Sequence, residues 1–218
     1  MYGFKPIRAE VLAIKLIPNV NQFMAEKLQL KPHQRSIGMI TTSIDDVGYT
    51  AVDEATKKAD VEVVYARSFY AGAAHASGPL SGEFIGILAG PNPAEVKSGI
   101  NAAIECIEHD ACFYAANEEG TIAMYPHCIS RTGTYLSKIA GIPAGEPLAY
   151  LIAPPIEAMY ALDAAIKAAE VRMVAFFGPP TETNFAGGYL TGTQSACKAA
   201  CDAFAAAVME VARYPKRF

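Results

Sequence analysis

The chain has 218 residues, 52% of them hydrophobic and 18% charged, with a formal net charge of −4 and a mean hydropathy of +0.18. This acidic balance, with no basic cluster, argues against a nucleic-acid partner, and no apolar run approaches the ~18 residues of a membrane span. Charge is scarce against an ordinary share of about a quarter, a depletion that suits wide subunit interfaces. Arg8, Glu10 and Lys15 interrupt any apolar core of a signal peptide, and a reducing cytosol is expected.

In chain order, the first segment with a pattern is NQFMAEKLQL, a short amphipathic stretch closed by Pro32. Ser36 to Thr42 is an apolar run of strand type. From Tyr49 to Ala59, Val52, Ala55, Thr56 and Ala59 recur at helical spacing. DVEVVYARSFY alternates and is β-branched, hence a strand. A Gly/Ala/Ser/Pro loop leads to a further strand at Glu83 to Ala89, and Asn92-Pro93 reads as the cap and first turn of a helix carrying Val96, Ile100, Ala103, Ile104 and Ile107.

The same order then starts again. GTYLSKIAGI is closed by Pro143, EPLAYLI answers RSIGMI, and ALDAAIKAAEVRMVA at Ala161 repeats AVDEATKKADVEVVY at Ala51, seven of fifteen positions being identical. GILAGPN at Gly86 is answered by GYLTGTQ at Gly188, so the offset falls from 110 to 102 across a loop that is longer in the first copy. One unit of about 110 residues is used twice, with domains expected at 1–113 and 114–218. Each is read as an α+β layer, a small sheet covered by helices on one face.

Five cysteines form no CxxC pair. Cys197 and Cys201 share a helix face with Phe204 and Val208 and read as buried small hydrophobes. The adjacent His127 and Cys128 do not complete a zinc shell, so neither a metal nor a cofactor is expected. Without a nucleophile–base spacing, a phosphate loop or a metal motif, an enzyme has little support. A catalyst using Asp45, Glu83 and His75, or a soluble small-molecule sensor, remains as the alternative on a duplicated α+β scaffold.

The stretches SIGMITTS, VDEATKKADVEVVYARSFYAG and GEFIGILAGPNPAEVKSGINAAIE, repeated in the second copy as PLAYLIAPPIEAMYALDAAIKAAEVRMVAFFGPP and GGYLTGTQSACKAACDAF, resemble the bacterial microcompartment (BMC) shell-protein domain. Strand material ahead of each unit resembles the circularly permuted form, and the tandem pair is similar to shell proteins of the ethanolamine-utilisation compartment. The resemblance implies a homotrimer imitating a hexamer. Such trimers tile with other shell proteins into the facets of a protein-walled organelle in the cytoplasm, around a passage that opens and closes. Cobalamin traffic is an expectation from the pathway's needs alone.

The family's pore loop corresponds to Tyr70–Gly82, including Ala71, Gly72, Ala73, Ala74 and His75. In the second copy it corresponds to Gly178, Pro179, Pro180, Thr181, Glu182, Thr183 and Asn184. Their small residues suit backbone close to an axis, although a plain hairpin connection fits the same composition. Lys57 and Lys167 match the lysine at the edge of shell tiles; each also stands four residues after an aspartate, Asp53 or Asp163, as an ordinary solvated helix pair. By its angle from the apolar stripe, Lys57 should point outward.

The duplication supplies an internal control for the acids: Asp45, Asp46 and Glu83 correspond to Pro155, Ile156 and Phe185. Carboxylates present in one copy only, expected at strand ends, are candidates for holding a small ammonium compound, with Phe113 as an aromatic face. The resemblance implies ethanolamine as that ligand. Exposed turn residues are the competing reading.

Overall fold

The computed structural model describes residues 4–70 and 78–217. In chain order the elements are β1 (Pro6–Ile7), β2 (Val11–Ile17), α1 (Gln22–Lys27), β3 (Ser36–Thr42), α2 (Asp45–Lys58), β4 (Glu62–Ser68), β5 (Phe84–Gly90) and α3 (Pro93–Glu105). A π-helical turn, Cys106–Asp110, prolongs α3. Then come β6 (Phe113–Ala115), β7 (Ala123–Ile129), α4 (Thr134–Ala140), β8 (Leu148–Ala153), α5 (Pro155–Ala168), β9 (Val171–Phe177), β10 (Ala186–Gly192) and α6 (Gln194–Arg213).

These elements fall into two compact units. The N-terminal unit comprises Ala9–Ala111 and Gly133–Leu136; the C-terminal unit comprises the chain before Ala9, Cys112–Thr132 and the chain from Ser137 onward. Each unit has an antiparallel sheet of the same strand order, β2-β3-β5-β4 in one and β7-β8-β10-β9 in the other, the latter extended at its β7 edge by β6 and β1. Helices α2 and α5 both have 14 residues and start 110 positions apart. Strands β5 and β10 start 102 apart. The duplication read from the sequence is thus a duplication of structure.

Local chemistry sets the boundaries. Asn92 accepts the amides of Ala94 and Glu95 and caps α3, with proline in its first turn. Helices α2 and α5 end alike, at Ala59 and Ala169, where the backbone turns extended. In the N-terminal unit, strand alternation sends Ile37, Ile87 and Ala89 to the face opposite α2 and α3, against Val20, Leu28 and Leu30 around α1. Both faces of this sheet therefore carry packing, where helices on one face alone were expected. In the C-terminal unit Leu151, Leu190, Cys197, Cys201, Phe204 and Val208 form a core between sheet and helices, each large apolar side chain contributing about 1.5–3 kcal/mol on burial. Cys197 and Cys201 behave there as the small hydrophobes their spacing predicts.

One boundary differs in a way that matters. The α2 helix starts at Asp45, not near Tyr49. Asp45 and Asp46 are therefore not at a strand end but in the first turn of a helix, where the aligned backbone dipoles favour negative charge. Nor are they exposed turn residues, since each is only 6% exposed.

Candidate ligand site and assembly surfaces

Thr42, the last residue of β3, organises the acidic site of the N-terminal unit. Its carbonyl accepts the Glu83 amide at 2.9 Å, and its hydroxyl donates to the Ile44 carbonyl at 2.8 Å, just ahead of α2. Gly82 lies between, at φ +62°, where an added Cβ would stand 1.9 Å from the Thr42 oxygen. Only glycine admits that approach. Glu83 is fixed further by its carbonyl, which accepts the Phe69 amide at 3.0 Å.

This arrangement brings Glu83 beside Asp45. Burial first, and then the Asp45 charge, push the Glu83 carboxyl above its usual range. Asp45 Oδ1 in turn accepts the Asp46 amide at 3.0 Å. Burial raises the Tyr49 phenol, whose hydroxyl bonds Ser68 at 2.8 Å and also senses Asp45 and Asp46. Acidic groups held together and partly dried favour an added cation. At the matching place in the C-terminal unit Phe185 directly precedes β10, as Glu83 precedes β5.

Phe113 lies in the C-terminal unit on β6 and is 3% exposed. Its ring stacks on Tyr125 at 4.8 Å and meets the edge of Phe185 at 5.8 Å. One of its faces is therefore committed within its own unit.

The lysines part company. Lys167 bonds Asp163 at 2.5 Å with both side chains largely in solvent. Lys57 pairs with Glu54, its charge also reaching the Asp53 carboxyl, and its side chain is 22% exposed rather than outward-pointing. The reason is that Asp53 is engaged elsewhere. Its carboxylate is buried and accepts the amides of Gly133 at 2.7 Å, Leu136 at 2.8 Å and Tyr135 at 3.2 Å. Thr56 Oγ1 accepts the Thr134 amide at 3.0 Å, and Tyr49 stacks on Tyr135 at 6.2 Å. Tyr49, Asp53 and Thr56 make a second helical stripe on α2; Thr56 reads with the apolar stripe, and Tyr49 and Asp53 carry the signal that such a reading passes over.

Of the expected pore loops, Tyr70 is exposed, while Ala71, Gly72, Ala73, Ala74 and His75 lie outside the described residues. The loop from Gly178 to Asn184 is tied by its own hydrogen bonds. The Thr181 amide donates to the Phe185 carbonyl at 2.8 Å and the Asn184 amide to the Thr181 carbonyl at 3.0 Å, and Thr181 Oγ1 accepts the Phe185 amide at 3.1 Å. His127 stacks on Tyr125 at 5.0 Å. Beside it, a hydrogen bond with Cys201 holds the Cys128 thiol down at about 7.

Residues 36–117 match the model of the BMC domain. Together with the repeated sheet order, that match defines a shell protein of the tandem BMC class. Over 97% of its length the chain is 64% identical to the bacterial microcompartment shell protein EutL of Clostridium perfringens, covering 98% of that protein. Its identity to EutL of Escherichia coli K12 is 54%, over 96% of this chain and 95% of that one. The crystal structure of the ethanolamine utilization protein EutL from Leptotrichia buccalis superposes with a TM-score of 0.96 at 64% identity, each chain covered in full. The chain belongs to the EutL family of bacterial microcompartment shell proteins.

Proposed function

We infer that this protein is a structural tile, not an enzyme, in the shell of an ethanolamine-utilisation microcompartment in the cytoplasm. The carrying observation is the near-full-length identity to EutL proteins on a chain whose two units repeat one fold. Three such chains supply six similar units around one axis, and the trimers assemble with other shell proteins into facets. Lys167 has the exposure that contacts between tiles require; Lys57 serves the same edge only from beneath its Glu54 pair. Light scattering and electron microscopy test the tile. Trimers that grow into extended sheets are expected, and a stable monomer or dimer at micromolar concentration overturns the reading.

Ethanolamine, as its ammonium form, is the ligand proposed for Asp45 and Glu83. Support comes from the paired acids, partly buried and present in one copy only. Few ligand atoms and partly solvated charges set a millimolar affinity, about 4 kcal/mol. Calorimetry with Asp45→Ala and Glu83→Ala decides it, since unchanged binding in both moves the site elsewhere. Phe113→Leu tests separately whether an aromatic face contributes. The loops from Tyr70 to Gly82 and from Gly178 to Asn184 are proposed to line a gated passage for metabolites or a cofactor such as cobalamin. Glu83 directly follows the first loop, so a ligand held there favours the closed arrangement. Cysteines placed in the loops, such as Thr181→Cys, should crosslink more in the presence of ethanolamine.

A further inference from the structure

Sulfur is concentrated in one part of the C-terminal unit. Cys128 stands on β7, while Cys197 and Cys201 stand one turn apart on α6, which packs on that strand. The N-terminal unit shows what the fold itself asks for at these positions. Cys197 and Cys201 lie four and eight residues beyond the helix cap Thr193, and the same steps beyond Asn92, the cap of α3, reach Val96 and Ile100. Cys128 is the sixth residue of β7, and the sixth of β2 is Leu16. One copy fills the three positions with plain hydrocarbon, and the other fills them with thiols. Packing alone therefore does not call for sulfur here.

The three thiols are not equivalent. Cys197 is buried and donates to the Leu190 carbonyl at 3.9 Å, and burial pushes it up to about 11. Cys201 is buried as well, but its thiol shares a hydrogen bond with Cys128. That bond first, and burial second, raise the Cys201 thiol. Cys128 is half-buried, so its sulfur lies nearest solvent. The bond with Cys201 holds it down at about 7 against burial, with the Lys198 charge assisting and that of Asp202 opposing. A half-buried sulfur with this much thiolate character is a nucleophile. A second thiol in hydrogen-bond contact is placed to capture what it forms.

We propose that Cys128 is an oxidative modification site for hydroperoxides, with Cys201 as the thiol that closes it into a disulfide between β7 and α6. The Cys128 thiolate attacks one oxygen of the peroxide. An S–O bond forms, the O–O bond breaks, and the departing hydroxide takes up the proton that Cys128 gave up. The Cys201 sulfur then attacks the sulfenic sulfur. An S–S bond forms as the S–O bond breaks, and the second hydroxide leaves as water with the Cys201 proton. The two thiols have together lost two electrons and two protons, and one hydrogen peroxide has become two waters. A thiol reductant reverses the bridge by exchange. The bridge ties β7, the strand on which β6 and β1 are built, to α6 through sulfurs already in contact.

The test treats the protein with hydrogen peroxide, digests it under non-reducing conditions and reads the peptides by mass spectrometry. A peptide pair joining Cys128 to Cys201 is expected, about 2 Da lighter than the two thiol peptides together and separated by dithiothreitol. Cys201→Ala should lose the bridge and keep a sulfenic acid on Cys128, captured by dimedone. Cys128→Ser should lose both, and Cys197→Ala should keep the bridge. Circular dichroism identifies the variants that fold, and the peptide map of the unsubstituted protein needs none of them. A bridge from Cys128 to Cys197, or a Cys128 that stays a free thiol in the peroxide-treated unsubstituted protein, overturns the proposal.

Discussion

Asp53→Ala isolates a buried carboxylate that holds a distant segment. The side chain is 1% exposed and accepts three backbone amides, from Gly133, Tyr135 and Leu136. Hydrogen bonds to a charged group contribute about 1.5–3 kcal/mol each, roughly 4.5–9 kcal/mol gross for three. Opposing them is desolvation, the largest influence on this group, which raises its carboxyl above the usual range. The net loss on truncation, with three amides stranded, should be about 3 kcal/mol. For a chain of this length, at about 2–4 °C per kcal/mol, that lowers Tm by roughly 6–12 °C. Thermal unfolding followed by circular dichroism reads it. Asp163→Ala is the control, because its carboxylate is exposed and should cost no more than about 0.5 kcal/mol. Asp53→Asn, which keeps an acceptor oxygen without the charge, should fall between. The pH dependence has a definite sign. With the folded carboxyl raised above the ordinary aspartate range, this group's contribution is full below that range and is lost as pH rises through the folded value. Asp53→Asn should therefore cost more at pH 3.5 than at pH 7. An Asp53→Ala Tm within about 1 °C of the parent protein would refute the accounting.

Gly82→Ala forces a Cβ onto the Thr42 carbonyl and should destabilise the N-terminal unit by at least about 1–2 kcal/mol, weakening ethanolamine binding with it; calorimetry and thermal melts check both. Ethanolamine affinity should fall on acidification, with the loss beginning above the ordinary glutamate range because Glu83 is raised and its neutral form no longer attracts a cation; titrations at pH 8 and pH 5 compare the two. Phe204→Ala empties a fully buried position of the α6 core and should cost about 3–5 kcal/mol, measured by urea denaturation. Lys167→Ala should leave Tm unchanged, since surface pairs contribute little, while reducing sheet formation under the electron microscope.

Periodicity and the internal repeat made the fold legible. Apolar positions at 52, 55 and 59 recur at 162, 165 and 169, and the helices carrying them match in length and start. The acids of the candidate site were legible as an asymmetry between copies, but their setting was not. Helix α2 begins without a capping side chain, and Gly48 reads locally as a turn, so the first helical residues look like loop. Asp53 was misread for a different reason. A lysine four residues on is an ordinary surface pattern, and nothing local announces that three amides some eighty residues away have first claim on the carboxylate. Contacts of that kind belong to topology: the helical stripe of Tyr49, Asp53 and Thr56 marks a second face of α2 but does not name the segment that covers it.

The two-residue strand β1 has a consequence for how the chain can be cut. Pro6 and Ile7 pair with Tyr114 and Phe113, so this strand is completed by residues that follow more than a hundred codons later. In the opposite direction, Gly133–Leu136 returns to the earlier unit. A gene divided between codons 113 and 114 would therefore give two products, each lacking a piece encoded by the other. Their rescue would depend on meeting in trans, as complementing halves of one reporter do.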